Sequence, residues 1–483
     1  MRQRLSIPLS GTPLCYIPTE YCNKLVIPAG QQGSYHEGNH KNHEGIPVAT
    51  SYSEGDLDDG RSALLSGWST GSEPGLIITK ASGALIWDSK GNEYIDCTSM
   101  AWSNNIGASS PEVIEAALAQ ARDLTHLRSN FDSVPLLLLA KAMTDAAPGD
   151  LRRVGFTLHG SLAVEMAMKL AMANRPANTG PFLTLTDGYH GRSLASMGLS
   201  WPHVNHAFDR TFPAVLRVPQ PYAYRSGRTV DDEIDYCVGE LRDAIRRRST
   251  GTPPAFIMEP VQGNGTQLDF PPRYYHEVRR ICSEHDILLV FDEVQSGFGR
   301  TGRMWAAEYY GVTPDILVFG KGVGGGFPLA GVLASSALGG FQPGDEALTF
   351  SEFPVSLAAG LAALEVLHRD NLLQACADMG AYATAALREM QPRHRLIGDV
   401  RGPGLLIGIE LVRDQQTREP AVSETLDVYR RAMDRGVVFG TTRYAGLGNV
   451  LKIKPPFTIT RDQMNHVLEV LDQVLTEVEN HAS

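Results

Sequence analysis

Seven short apolar segments dominate the middle of this 483-residue chain, at 154–158, 182–186, 215–218, 255–258, 287–291, 316–319 and 329–333. Each is apolar nearly throughout, without alternating polar positions, and helical stretches separate them. A strand apolar on both sides must be covered on both sides, and strands that alternate with helices pair in parallel through crossovers. The pattern predicts an α/β fold: a large domain over 131–350 whose mostly parallel seven-stranded sheet is covered by helices.

The flanking segments read differently. Residues 1–75 are rich in Gly, Ser, His, Asn and Pro with little apolar periodicity, and read as an N-terminal extension, partly disordered or draped over another surface. Its His36, His40 and His43 suit either a metal or a solvated loop. Residues 76–130 carry a hairpin signal, 84–87 and 93–95 around the turn-forming cluster Asp88-Ser89-Lys90-Gly91-Asn92, and then a helix at 111–121. They are expected to join 351–483 in a small α+β domain built from N- and C-terminal segments. There the sequence predicts a helix at 357–368, a strand at 405–411, and a last helix opened by the capping box Thr460-Arg461-Asp462-Gln463. Met464, Val467, Leu468, Leu471, Leu475 and Val478 form one apolar stripe along it.

Bulk properties exclude several function classes. With 43 basic and 54 acidic residues the net charge is −11, which offers no basic field to nucleic acid or an anionic membrane. No apolar run approaches the ~18 residues of a membrane span, and the N-terminus lacks the apolar core of a secretory signal. The six cysteines lack paired spacing, which fits a reduced, cytoplasmic protein better than a disulfide scaffold.

The chemistry concentrates at strand ends, where ligands collect in α/β sheets. The run 287–291 ends on Asp292, and 316–319 leads to Lys321 among Gly320, Gly322, Gly324 and Gly325. A lysine for a Schiff base and a carboxylate for a pyridinium nitrogen are what pyridoxal phosphate requires. The glycines let backbone approach a ligand, and burial would keep the lysine amine free. Outside such a site, Lys321 would be a solvated loop residue and Asp292 would pair with an arginine such as Arg300. Gln295, three residues on, can donate to a ring hydroxyl.

Other strand ends add parts. His159-Gly160-Ser161 precedes a helix at 162–173, with Ser161 as N-cap and Glu165–Lys169 as a supporting pair. This is either an anion site at a helix start or a plain capped helix. Tyr189, in Gly188-Tyr189-His190-Gly191-Arg192, can stack on a flat ring or simply pack. Glu259 puts another carboxylate at the same edge, expected to pair with an arginine. The run Gly297–Gly302 matches G-x-G-x-x-G, but five residues separate it from the preceding strand, so it is not a dinucleotide fingerprint.

Taken in order, FDEVQSGFGRTG, a spacer and PDILVFGKGVGGGFPLAG resemble the class III (ω-type) aminotransferase family of pyridoxal phosphate fold type I. GALIWDSKGNEYID, GYHGRS, EPVQG, VRGPGLLIGIELV and NVLKIKPPFTIT extend the resemblance over residues 77–477. It implies that Lys321 forms the Schiff base and shuttles the proton, Asp292 binds the pyridine nitrogen, Gln295 contacts the ring hydroxyl and Tyr189 stacks on the ring. It also implies that Gly160 and Ser161 hold the phosphate. Thr349 would reach the phosphate of the neighbouring subunit, which makes the active site a property of a homodimer. Trp102 falls at a substrate-pocket aromatic. The implied activity is transfer of an amino group between an amine or amino acid and a keto acid or aldehyde.

The chain departs from the family pattern at four places. His159-Gly160-Ser161-Leu162-Ala163 lacks the acid usual in the phosphate turn, and Ser351-Glu352-Phe353-Pro354 follows Thr349-Phe350 in place of G-G-N-P. Gly107-Ala108-Ser109-Ser110-Pro111 replaces the usual G-H motif. Lys452 stands where many members place an arginine for the substrate carboxylate; it offers a point charge and not a planar fork. Arg443 is the candidate replacement. A racemase, epimerase or lyase on the same scaffold would need the same Asp292 and Lys321, and a cofactor-free binding protein would need neither.

Overall fold

The computed structural model describes residues 54–65, 76–200, 208, 212–441 and 448–481. The histidine tract at 36–43 and Arg443 lie outside them. The chain separates into two compact units, 1–79 with 88–91, and 80–87 with 92–483. In the first, the described residues form a helix, Glu54–Ser62, and a turn closed by Gly91 N–H on the Asp88 carbonyl (3.1 Å).

The second unit holds the seven-stranded sheet that the apolar runs predict. Its strands are β1 (Leu151–Thr157), β2 (Phe182–Leu185), β3 (Val215–Val218), β4 (Ala255–Met258), β5 (Leu288–Asp292), β6 (Ile316–Phe319) and β7 (Ala330–Ser335). They lie in the order β1-β7-β6-β5-β4-β2-β3. Pairing is parallel except at β7, which runs antiparallel to both β6 and β1. Burial explains the absence of polar alternation. Leu289, Phe291, Leu317 and Phe319 enter one core on one side of the sheet, and Leu288, Val290, Ile316 and Val318 enter a second core on the other. Because β6, β5, β4 and β2 are neighbours running the same way, their carboxyl ends open onto one edge.

Helix α1 (Gly160–Asn174) packs Ala163, Val164, Ala167 and Leu170 into the second core. It starts earlier than expected, and its N-cap is His159, not Ser161. The extended backbone of His159 lets its ring accept from Ser161 N–H (3.2 Å), which frees the Ser161 hydroxyl to accept from Arg192 N–H (2.9 Å). Nor does the Glu165–Lys169 pair form. Lys169 meets Glu346 (2.6 Å), and Glu165 accepts from Ala195 N–H (3.2 Å), because tertiary partners offer better geometry than a neighbouring turn.

The C-terminal part is α+β and draws on an N-terminal strand. Glu93–Asp96 pairs with Val437–Val438 in parallel and, as the hairpin signal predicts, with Leu85–Asp88 in antiparallel. A four-stranded antiparallel sheet orders Ile397–Arg401, Ile407–Leu411, Val450–Ile453 and Gly440–Thr441. The last helix, Arg461–His481, carries both bonds of its capping box: Gln463 N–H to the Thr460 hydroxyl (3.2 Å) and Thr460 N–H to the Gln463 side chain (2.9 Å). Its predicted apolar stripe is buried from Met464 to Val478. Thr460→Ala removes the exposed N-cap without disturbing the core, so urea unfolding should show a loss of about 1 kcal/mol.

Candidate active site

Asp292 closes β5 and is only 4% exposed. An ionised carboxylate there needs a partner, since an unpaired buried charge is very costly. The partner is His190, not Arg300: His190 Nδ1 lies 2.8 Å from Asp292 Oδ2. Thr184, inside β2, lies 3.1 Å from His190 Nε2. A Thr184 hydroxyl donating to Nε2 leaves the ring N–H at Nδ1, facing the carboxylate. The second carboxylate oxygen accepts from Val294 N–H (3.2 Å). Arg300 is fully buried elsewhere, donating to Pro455 O (2.6 Å), Leu405 O (3.3 Å), the Ser99 hydroxyl (3.1 Å) and the Asn105 side chain. The glycines of 297–302 serve that packing. A Cβ at Gly299 or Gly302 would collide with Phe457 or Ala377.

Glu259 follows β4 and also lacks the expected arginine. Its two oxygens accept from Tyr189 N–H (2.8 Å) and Gly263 N–H (3.0 Å). Burial, reinforced by Asp292, raises its pKa to about 6 against those bonds and His190. It thereby ties the half-buried Tyr189 to the loop after β4. Gln295 is buried beside that loop, so close to Gly263 that a Cβ there would collide with its amide.

Lys321 sits just after β6 with φ +50°, and no hydrogen bond to its amine is present among the described residues. Burial lowers its pKa to about 8, while Asp292 and Glu259 pull the other way. With that value about a tenth of the amine is neutral at pH 7, far more than for an ordinary lysine, and the neutral form is the one a nucleophile or base needs.

Trp102 arrives on an unusual turn. Ser99, Met100, Ala101 and Trp102 have φ of +46°, +50°, +61° and +66°, four non-glycine residues in succession in the left-handed region. Each such residue costs about 1–2 kcal/mol, so the surroundings must over-determine the turn. Asp96, 3% exposed, accepts from Thr98 N–H (2.7 Å) and Met100 N–H (2.7 Å). The Ser99 hydroxyl donates to Lys454 O (2.6 Å) and accepts from Arg300. The turn sets the indole among three amines. Lys454, Lys321 and Lys452 Nζ stand 4.6, 5.1 and 5.9 Å from the ring centre. Lys452 donates to Asn264 O (2.7 Å), and Lys454 to Gly263 O (3.0 Å), with the Gln295 amide oxygen at 3.5 Å. Burial lowers the pKa of Lys452 to about 7 and that of Lys454 well below its ordinary value.

An anion corner lies at the start of α1. There Gly160 and the buried Ser161 meet the loop after β2 at Gly191 (φ +132°), where any Cβ would collide with the Ser161 and Ser196 hydroxyls. Asp292, Lys321, Tyr189, Gln295, Lys452 and Trp102 are thus linked through shared neighbours. Thr349 is exposed in a turn beside Phe350, and the structure provides no contact from it to this group.

Sequence reasoning missed His190, Lys454 and the Asp96-held turn. The signal for His190 is a strand-end carboxylate that needs a partner and an imidazole already inside a strand-end motif. Lys454 lies two residues from Lys452, a spacing that returns to the same face of an extended chain. No glycine marks the turn.

The aminotransferase class-III family model matches residues 69–475. The chain is 34% identical to a leucine/methionine racemase of Thermococcus litoralis, over 84% of this chain and 91% of that protein. It is 30% identical to an acetylornithine aminotransferase of Caldanaerobacter subterraneus subsp. tengcongensis, over 83% of this chain and 95% of that protein. Among solved structures, an (S)-enantioselective omega-transaminase from Thermomicrobium roseum superposes with a TM-score of 0.82 at 28% identity, covering 89% of this chain and 99% of that one.

Asp96→Ala would strip the bonds that hold the left-handed turn. The expected loss is about 2–3 kcal/mol in urea unfolding, with a changed Trp102 environment in near-UV circular dichroism.

Proposed function

We propose how these residues work together from one premise: the chain belongs to the class III aminotransferases, pyridoxal-phosphate-dependent enzymes of fold type I that move an amino group between an amine or amino acid and a keto acid or aldehyde. The residues fit that cofactor. The start of α1 offers the positive end of a helix and the Ser161 hydroxyl to a phosphate, and Gly191 leaves room beside them. Asp292 is a buried carboxylate suited to a pyridinium, and Lys321 is an amine without a hydrogen bond among the described residues. When bound, the cofactor supplies a ring that draws electrons from the bond broken at the substrate Cα.

Each residue then has a task. Asp292 keeps the ring nitrogen protonated, and His190 holds Asp292 in place. Tyr189 stacks on the ring, Gln295 donates to its hydroxyl, and Gly160 with Ser161 holds the phosphate. Lys321 anchors the cofactor covalently through Nζ. With the cofactor bound, Lys321 Nζ would be the group that takes and returns the proton at the substrate Cα. Trp102 and Lys452 line the substrate side; Arg443 remains a candidate for the carboxylate. Thr349 reaches the phosphate of a second copy in a homodimer, a role that the exposed Leu348 and Phe350 beside it support. The enzyme works in the cytoplasm, in keeping with the buried free thiols of Cys97, Cys237, Cys282 and Cys376 and with the absence, among the described residues, of a helix long and apolar enough to cross a membrane.

The juxtaposition of Lys321 and Asp292 at two adjacent strand ends carries this reading. One observation favours a second. Lys452 is another buried amine within the field of Lys321 and has a similarly lowered pKa. In a racemase or epimerase the proton returns to Cα and not to the cofactor. The likeness to the Thermococcus racemase supports that outcome, and a lyase would differ only in expelling a leaving group.

A panel of amines and amino acids, added one at a time to the loaded enzyme, should convert its visible absorption to that of pyridoxamine phosphate within one turnover. Loss of Cα chirality in deuterated solvent, with no keto product, would assign racemisation instead. Lys321→Ala should abolish borohydride-trapped cofactor. The rate at which apoenzyme captures pyridoxal phosphate should rise with pH up to about 8 and then level, because the neutral amine is the reactive form; an ordinary lysine would keep gaining toward pH ~10.4.

A further inference from the structure

Lys452 and Lys454 are 0% and 1% exposed and two residues apart, and both amines stand over one indole. Neither has a carboxylate partner among the described residues. Their hydrogen bonds go to the Asn264 and Gly263 carbonyls and the Gln295 amide oxygen. Glu259, the acid whose charge acts on both amines, is committed to Tyr189 and Gly263 N–H. The Trp102 indole N–H is buried with no acceptor among the described residues. Each ammonium offers three donors, so most of this donor capacity is unused. Two buried amines and a buried indole N–H, with no carboxylate partner among the described residues, form a donor cluster that an entering anion would complete.

We propose that Lys452, Lys454 and Trp102 form a single subsite for the substrate carboxylate, and that this subsite takes up a proton from solvent as it takes the carboxylate. The proposal rests on the reading of this cleft as the substrate site. It turns on a chemical difference between lysine and arginine: arginine stays charged in a protein, whereas a buried lysine releases its proton readily. In the resting pocket, burial is the main force holding both amines toward the neutral form. Lys321 acts in the same direction on both, Lys452 and Arg300 add to it at Lys454, and Glu259 opposes it. An arriving carboxylate reverses the balance. The amine gains H⁺ from solvent, no covalent bond changes, and the pair leaves the pocket close to neutral.

The sign of the pH dependence follows. Below about pH 7 Lys452 already carries its proton, so binding takes up little. Above it, each proton drawn from solvent weakens carboxylate binding by about tenfold per pH unit.

Isovalerate, which has neither amine nor carbonyl to react with the cofactor, serves as the probe. It is titrated calorimetrically into the loaded enzyme in two buffers of different ionisation heat. Uptake approaching one proton is expected above about pH 8 and little near pH 6, with affinity falling across that range and the cofactor's visible band unmoved. Lys452→Arg should bind isovalerate with a flatter pH profile and less uptake. Lys454→Met and Lys452→Met should each weaken binding by about tenfold or more, and Trp102→Phe, which keeps a ring but loses the donor, by a smaller factor. The proposal is overturned if affinity is flat with pH, if uptake survives in the double Met variant, or if a shift of the cofactor band accounts for the uptake. Amine-driven conversion of the cofactor is read separately, so normal conversion with pH-independent isovalerate binding sinks this inference alone. Failed conversion with normal uptake would sink the aminotransferase reading alone.

Discussion

Everything at the carboxyl edge of the sheet answers to the cost of keeping ionisable groups out of water. The two oxygens of buried Asp292 are faced by His190 and Val294 N–H, and His190 is itself fixed by Thr184 one strand away. Glu259 is secured by two backbone amides from two different loops. Such bonds satisfy the charges and also tie together the loops after β2, β4 and β5. The fold supplies neighbouring parallel strands, and the charge partners convert them into one rigid edge.

The lysines answer to the same cost differently. Asp292 is met by hydrogen-bond partners, while Lys321, Lys452 and Lys454 meet burial with lowered pKa values. For Lys321 this supplies the free amine that the chemistry needs. Fully buried Arg300 illustrates the contrast. Burial brings it down only to about 10, so it stays charged and is surrounded by the carbonyls of Leu405 and Pro455 and the side chains of Ser99 and Asn105.

How much of this was legible in the sequence depended on whether the cause was local. The seven strands were, because two-sided burial writes continuous apolar runs, and so was the capping box of the last helix, whose two bonds span three residues. Asp292 and Lys321 were legible because each stands directly at the end of a run. Partners were not. The arginine that was the alternative partner of Asp292 and the one expected at Glu259 gave way to a histidine and backbone amides, the cap of α1 moved from Ser161 to His159, and Lys169 left Glu165 for Glu346. Most of these choices are settled by residues tens to hundreds of positions away, while the His159 cap spans only two. The turn at Ser99–Trp102 was least legible, since its cause is Asp96 together with Lys454 and Arg300 from distant segments, and nothing in S-M-A-W announces a left-handed backbone.

That turn also marks where the protein's evolution is constrained. It holds several kcal/mol of conformational strain in four residues, a conspicuous reserve in a molecule of ordinary marginal stability. Selection for heat resistance alone would find it quickly, since glycine or asparagine at 100 or 101 suits the backbone better than methionine or alanine. The same relief would loosen the one element that fixes the indole over the amines. Gains in robustness at this turn would therefore be drawn from discrimination between substrates, and lineages that adapt to new temperatures and new amines would have to negotiate both at the same four positions.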